Sequence, residues 1–249
     1  MKRKKKLTLK YLLDNKYKIL IGLVLVVLML AASLIFGDDL FPAPDTNAPH
    51  ISAATLDAIP EWDGETAYVI INDNTPFFTQ DEIVSVSYES YGELDGLGRC
   101  TVAIACVGVD IMPTEDRGSI GSVKPSGWQT VKYDFISGNY LYNRCHLIGY
   151  QLTGENANKQ NLITGTRFLN IDGMLTFEDM IADYVKETEN HVMLRVTPIF
   201  EGDNLVASGV LMEAWSVEDN GAGICFNIYA YNAQPGVVID YATGESRAA

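Results

Sequence analysis

From Ile19 to Phe36 the chain runs eighteen residues without a charge, and from Trp62 onward it breaks into short alternating or apolar stretches separated by turns. The first stretch has no polar face, so it does not read as a helix lying on a soluble core. As a helix it would span about 27 Å, close to the hydrocarbon thickness of a bilayer. Residues 37–60 contain four prolines and no sustained period, the pattern of a linker. Beyond it, Ala67–Ile71 and Arg99–Val109 read as apolar strands, with shorter strands over Val84–Tyr88 and Trp128–Tyr133. Tyr140–Tyr150 reads as a strand entering a loop. Thr176 and Asp179 form a capping-box-like start for a helix over 177–188, in which Phe177, Ile181, Tyr184 and Val185 recur near helical spacing. Four segments then follow: His191–Phe200, Leu205–Val217, Gly223–Tyr231 and Val237–Tyr241. Glycine, asparagine or proline turns separate them, which predicts an antiparallel meander. The whole pattern predicts an α+β fold: an antiparallel or mixed sheet with few helices, preceded by one N-terminal transmembrane helix.

Charge sharpens the division. Residues 1–18 hold eight of the 18 Lys+Arg and one of the 32 Asp+Glu, leaving ten bases against 31 acids for the remainder. Lysines precede the apolar run and Asp38 and Asp39 follow it, so the positive-inside rule places the N-terminus in the cytoplasm and the rest outside. The expected organisation is a basic tail (1–18), an anchor (19–36), a linker (37–60) and a globular domain (61–249). A cleaved signal peptide is the competing reading, with Ala31-Ala32-Ser33 as its cleavage site, in which case the domain is secreted. The acidic domain excludes a protein that grips nucleic acid by a broad basic face, but not an enzyme that touches phosphate through one metal and a few arginines. Four cysteines without a C-x-x-C pair argue against a zinc knuckle. In an oxidising compartment they allow disulfides, and Cys100 is the candidate partner for Cys145.

Chemistry concentrates between Asn143 and Glu178. Of three histidines, His50 lies in the linker and His191 opens a strand, which leaves His146 as the candidate general base. Asn170 offers a neutral oxygen, suited to a Mg²⁺ that keeps most of its waters. Glu178 is placed to order one of those waters. If helical pitch extends back to Asn170, these two residues, eight apart, share a face. Arg144 and Arg117 are candidate phosphate contacts.

Asn143-Arg144-Cys145-His146, the nine-residue interval from Asn161 to Asn170, and Glu178 eight further on resemble the signature of the DNA/RNA non-specific endonucleases. That signature is D-R-G-H, then two asparagines nine apart, then a glutamate on the metal-binding helix. Leu97-Gly98-Arg99, Asp116-Arg117-Gly118-Ser119, Ser126-Gly127-Trp128 and residues 240–245 resemble the membrane-associated DNA-entry branch. The likeness covers about residues 60–245. It implies a ββα-metal active-site motif in which His146 is the general base, Asn170 the direct Mg²⁺ ligand and Glu178 a water holder. Asn161 would then help to place the others, while Arg144, Asn143 and Arg117 complete the site. Mn²⁺ is the implied substitute metal, and DNA, with RNA besides, the implied substrate. No protein partner is implied. Asn143 stands where the signature has aspartate, and Cys145 where it has glycine. Those departures motivate an alternative, a catalytically weakened surface module of the same fold that binds nucleic acid or a protein.

Overall fold

The computed structural model describes residues 59–249. The tail, the anchor and nearly all of the linker expected from the sequence lie outside the described residues. Among the described residues no helix is long and apolar enough to cross a membrane.

The fold is α+β. Six antiparallel strands form the central sheet: β1 (Tyr68–Ile70), β2 (Tyr88–Tyr91), β3 (Ala103–Val107), β6 (Val192–Ile199), β7 (Gly209–Ser216) and β8 (Cys225–Tyr231), in the order β1-β8-β7-β6-β3-β2. Between β3 and β6 the chain leaves the sheet to make a two-stranded hairpin, β4 (Tyr142–His146) with β5 (Leu162–Thr166), and the helix α2 (Thr176–Thr188). A one-turn helix, α1 (Tyr150–Thr153), lies between the two hairpin strands.

Strand alternation distributes the core to both faces of the sheet. Val192, Leu194 and Val196 of β6, Val210, Met212 and Ala214 of β7, and Phe226, Ile228 and Ala230 of β8 enter one cluster. Phe177, Ile181, Ala182 and Val185 of α2 and Cys145 and Ile163 of the hairpin complete it. Full burial of Ile181 alone contributes roughly 1.5–3 kcal/mol. On the other face Leu211, Tyr229 and Tyr231 meet Ile71 and Ala233, with Ile59, Trp62 and Phe77 packed against them. Ile59 and Pro60 belong to the expected linker but dock on the domain: the Tyr231 hydroxyl donates to the Pro60 carbonyl at 2.7 Å. A third cluster joins Ile136, Leu141, Tyr142 and Val237.

The first three segments of the predicted meander form β6, β7 and β8 in antiparallel register. The fourth does not join them. Residues of β9 (Val237–Ile239) pair instead with β10 (Ser246–Ala248), because Ala67 and β1 already occupy the free edge of β8. The strand expected over Val84–Tyr88 begins only at Tyr88, where register with Cys106 starts. Trp128–Tyr133 makes a single bridge, Lys132 to Tyr140, rather than a strand. The expected Cys100–Cys145 disulfide is absent, and all four cysteines are free thiols. Cys100 donates to the Leu162 carbonyl, whereas Cys145 lies 3.5 Å from the Met174 sulfur.

Candidate active site

Two local devices set the end of β4. The Leu147 amide donates to the Asn161 carbonyl at 2.9 Å. The Asn161 side chain then takes both polar groups of Ile148, accepting from its amide at 2.9 Å and donating to its carbonyl at 3.0 Å. Asn161 is fully buried and its carboxamide is satisfied there. It does not line the cavity described below. It fixes the backbone that leaves His146.

His146 is 6% exposed, and both ring nitrogens have partners. Nε2 lies 2.8 Å from the Asn156 carbonyl oxygen. A carbonyl only accepts, so Nε2 carries the proton and Nδ1 keeps its lone pair. Arg117 Nη2 donates to that lone pair at 3.1 Å. Burial pushes the His146 pKa down to about 4; the Asn156 carbonyl pulls it up and the nearby Arg117 charge lowers it further. The ring is therefore a neutral imidazole with one aimed acceptor nitrogen.

Residues Leu169–Leu175 coil as a π-helix before α2 begins. Such wide turns recur at functional sites. Gly173 lets this segment pack closely on β8, where an added Cβ would sit 3.2 Å from the Ala230 methyl. The regular helical pitch expected between Asn170 and Glu178 is thus interrupted, yet both residues line one cavity of about 410 Å³. Arg117, His146, Gly149 and Arg167 line it as well. The Asn170 carboxamide makes no hydrogen bond among the described residues, so its oxygen is available.

Glu178 sits in the first turn of α2 and is 8% exposed. Its carboxylate rests against Gly149, where an added Cβ would lie 2.7 Å from the carboxyl carbon and would have to displace the carboxylate. Burial raises the Glu178 pKa to about 7, with Asp179 adding to the rise; the Gly149 amide and Arg117 oppose it. Among the described residues no three His, Cys, Asp or Glu side chains are grouped to hold a metal. The oxygen donors lining the cavity are instead the amides of Asn170 and Gln151, the Tyr150 hydroxyl and the Glu178 carboxylate. They are hard oxygens, too few to displace a full hydration shell, which fits a hydrated Mg²⁺ better than a closed N/S zinc site. Cys145 borders the cavity as a thiol whose pKa burial pushes far up, and it offers no thiolate.

The structure brings His146, Arg117, Asn170 and Glu178 together and leaves Arg144 and Asn143 elsewhere. Arg144 donates to the carbonyls of Val123 and Gly121 and stacks on Trp128, 4.1 Å from the ring centre, so it pins the loop before β4. Asn143 pairs with Gly165 across the hairpin, and its Nδ2 is buried without a partner. Sequence reading missed Gly149, the Asn156 carbonyl and Arg167. Only Arg167 left a signal, its place three residues before Asn170.

The sequence model of the DNA/RNA non-specific endonucleases matches residues 80–218, the span that holds all of these side chains. The chain belongs to that family. Its fold matches the crystal structure of NucA from Streptococcus agalactiae with magnesium bound, at a TM-score of 0.68 and 25% identity, covering 79% of this chain and 93% of NucA. It also matches the Sda1 nuclease with a bound zinc ion, at a TM-score of 0.61 and 23% identity, over 74% of this chain and 97% of Sda1. This second likeness is one of fold. In this member of the family the β4–β5 hairpin and the π-helix meet at one cavity.

Proposed function

We propose that the chain is a membrane-anchored, extracellular, sugar-non-specific endonuclease that hydrolyses phosphodiester bonds of DNA, and of RNA, with His146 as general base and one Mg²⁺. The observation that carries this reading is the aimed lone pair of His146 Nδ1, held in a cavity that also presents Asn170 and Glu178. Membership of the DNA-entry branch and the anchor at residues 19–36 rest on the sequence pattern.

Mg²⁺ bound at Asn170, with Glu178 holding one of its waters, would supply positive charge at the oxygens of the scissile phosphate. Mn²⁺, with the same preference for oxygen donors, is the expected substitute. The protein's own part is as follows. His146 Nδ1 takes a proton from water, the water oxygen attacks phosphorus, and the bond from phosphorus to the leaving oxygen breaks. Solvent returns a proton to that oxygen. Asn156 keeps the imidazole in the productive tautomer and accepts from Nε2–H throughout, which stabilises the imidazolium that forms. Arg117 covers Nδ1 in the free chain. An incoming phosphate competes for the same guanidinium, so substrate uncovers the base as it binds.

The test incubates the full chain, in detergent, with plasmid DNA and with RNA, in Mg²⁺ and in chelator. Degradation in Mg²⁺ alone is expected, and His146→Ala should lose about 10²–10⁴-fold in rate while melting near the wild-type temperature. A folded wild-type chain that leaves both polymers intact in Mg²⁺ would overturn the reading, and binding without cleavage would favour a weakened surface module. A fully active His146→Ala would overturn the choice of base.

A further inference from the structure

Six arginines lie among the described residues, and the structure uses them differently. Arg99 bonds Asp95 and the carbonyls of Gly202 and Asn204. Arg144 is held on Trp128, and Arg195 on Glu213 and Glu82. Arg247 bonds the carbonyl of Ala248 next to it. Arg117 bonds His146. Arg167 alone has a guanidinium with no hydrogen bond and no acidic partner among the described residues, and it lines the same cavity as Asn170.

The backbone under Arg167 is tied on every side. The Thr166 amide donates to Asn232 Oδ1 at 2.8 Å, and the Thr166 hydroxyl donates to the Ala233 carbonyl at 2.6 Å. The Arg167 amide donates to the Leu141 carbonyl at 2.7 Å, and the Phe168 amide to Gln234 Oε1 at 3.1 Å. The Leu169 amide closes the set on the Thr166 hydroxyl at 2.9 Å. A rigid stem that carries an unpaired, half-buried cation into a cavity is placed to receive an anion. In a chain with 31 acids against ten bases from residue 19 onward, leaving such a cation unpaired is costly unless a ligand completes it.

Resting on the nuclease reading above, we infer that Arg167 is a substrate-binding residue that takes the non-bridging oxygens of a nucleic-acid phosphate on the Asn170 side of the cavity. Arg117 serves the His146 side. The two cations lining one cavity carry the phosphate recognition that the acidic surface cannot supply.

The experiment measures kcat/KM of the full chain on a double-stranded oligonucleotide in Mg²⁺ across a salt series, for wild type, Arg167→Ala and Arg167→Lys. Loss of one charged hydrogen bond should lower kcat/KM about 10- to 100-fold in Arg167→Ala. Removal of one phosphate contact should also flatten the log–log salt slope by about 0.9. Arg167→Lys keeps the charge and should keep the slope, with part of the rate lost because it cannot form a two-pronged contact. A wild-type rate and slope in Arg167→Ala overturn the inference while leaving the nuclease reading intact. So does a rate loss with an unchanged slope, the mark of a merely structural role. A wild-type chain that cleaves nothing overturns both.

Discussion

Two groups of buried charge lie against opposite faces of the central sheet, and they are built on opposite principles. On one face Arg195 and Glu213, each 2% exposed, form a closed network. Arg195 reaches Glu213 at 2.9 Å and Glu82 at 2.7 Å and stacks on Phe78, while the Phe77 amide donates to Glu213 at 2.6 Å. There one guanidinium serves both carboxylates. On the other face His146 and Glu178 are buried without a direct ionic partner, and burial moves both toward their neutral forms. Protein structure alone completes the first network. On the proposed reading the second is completed by a cation and an anion from outside, which is how a site differs from a strut.

The comparison breaks most sharply at Arg195. Arg195→Ala strands the Glu213 carboxylate and should cost about 3–5 kcal/mol in urea unfolding, while replacing both residues by leucine should recover most of the loss. A cost below about 1 kcal/mol would mean the network is not closed in solution. Gly149→Ala tests the other face. Gly149 has φ of −58°, which alanine adopts freely, so any effect is the Cβ driven into the Glu178 carboxylate. We expect about 1–3 kcal/mol of destabilisation by thermal melting and a higher Mg²⁺ requirement for cleavage. Unchanged Mg²⁺ dependence would separate Glu178 from the metal.

The smallest effect has the clearest sign. In chelator, between pH 4.5 and about 7 the folded chain keeps a proton on Glu178 that the unfolded chain has lost, so this group makes stability fall as pH rises. Between about pH 4 and 6.5 the unfolded chain holds a proton on His146 that the folded chain does not, so this group makes stability rise. Each slope is at most about 1.4 kcal/mol per pH unit, and the two nearly cancel from pH 4.5 to 6.5. Glu178→Gln should therefore unmask a stability that rises with pH over that window, and His146→Ala one that falls. Parallel urea curves for the two variants would show that the pair is not buried in its neutral forms.

How much of this was legible in the sequence depends on whether the contacts are local. Strand β4 and the helix α2 carry their signals within the span Asn143–Glu178, whereas β5 shows no clear alternation, and β6–β8 announce themselves by alternation. The partner of Val237–Ile239 was not legible, because the edge of β8 is taken by a strand some 160 positions earlier in the chain. The two roles of arginine were illegible for the same reason. Arg144 sits two residues from His146 but faces Trp128, whereas Arg117, 29 positions before the histidine, touches it. Gly149 carries no pattern at all, because its reason is a carboxylate contributed from another element.

The four unpaired thiols carry a consequence for how this chain is assembled. Burial pushes Cys100 and Cys106 up to about 12 and raises Cys145 and Cys225 as well, so little thiolate exists to exchange or oxidise. No disulfide staples the described fold, so packing and hydrogen bonds hold it. Denaturation removes that protection: the four thiols become exposed and can oxidise and mispair, so recovery of the native packing calls for a reducing medium.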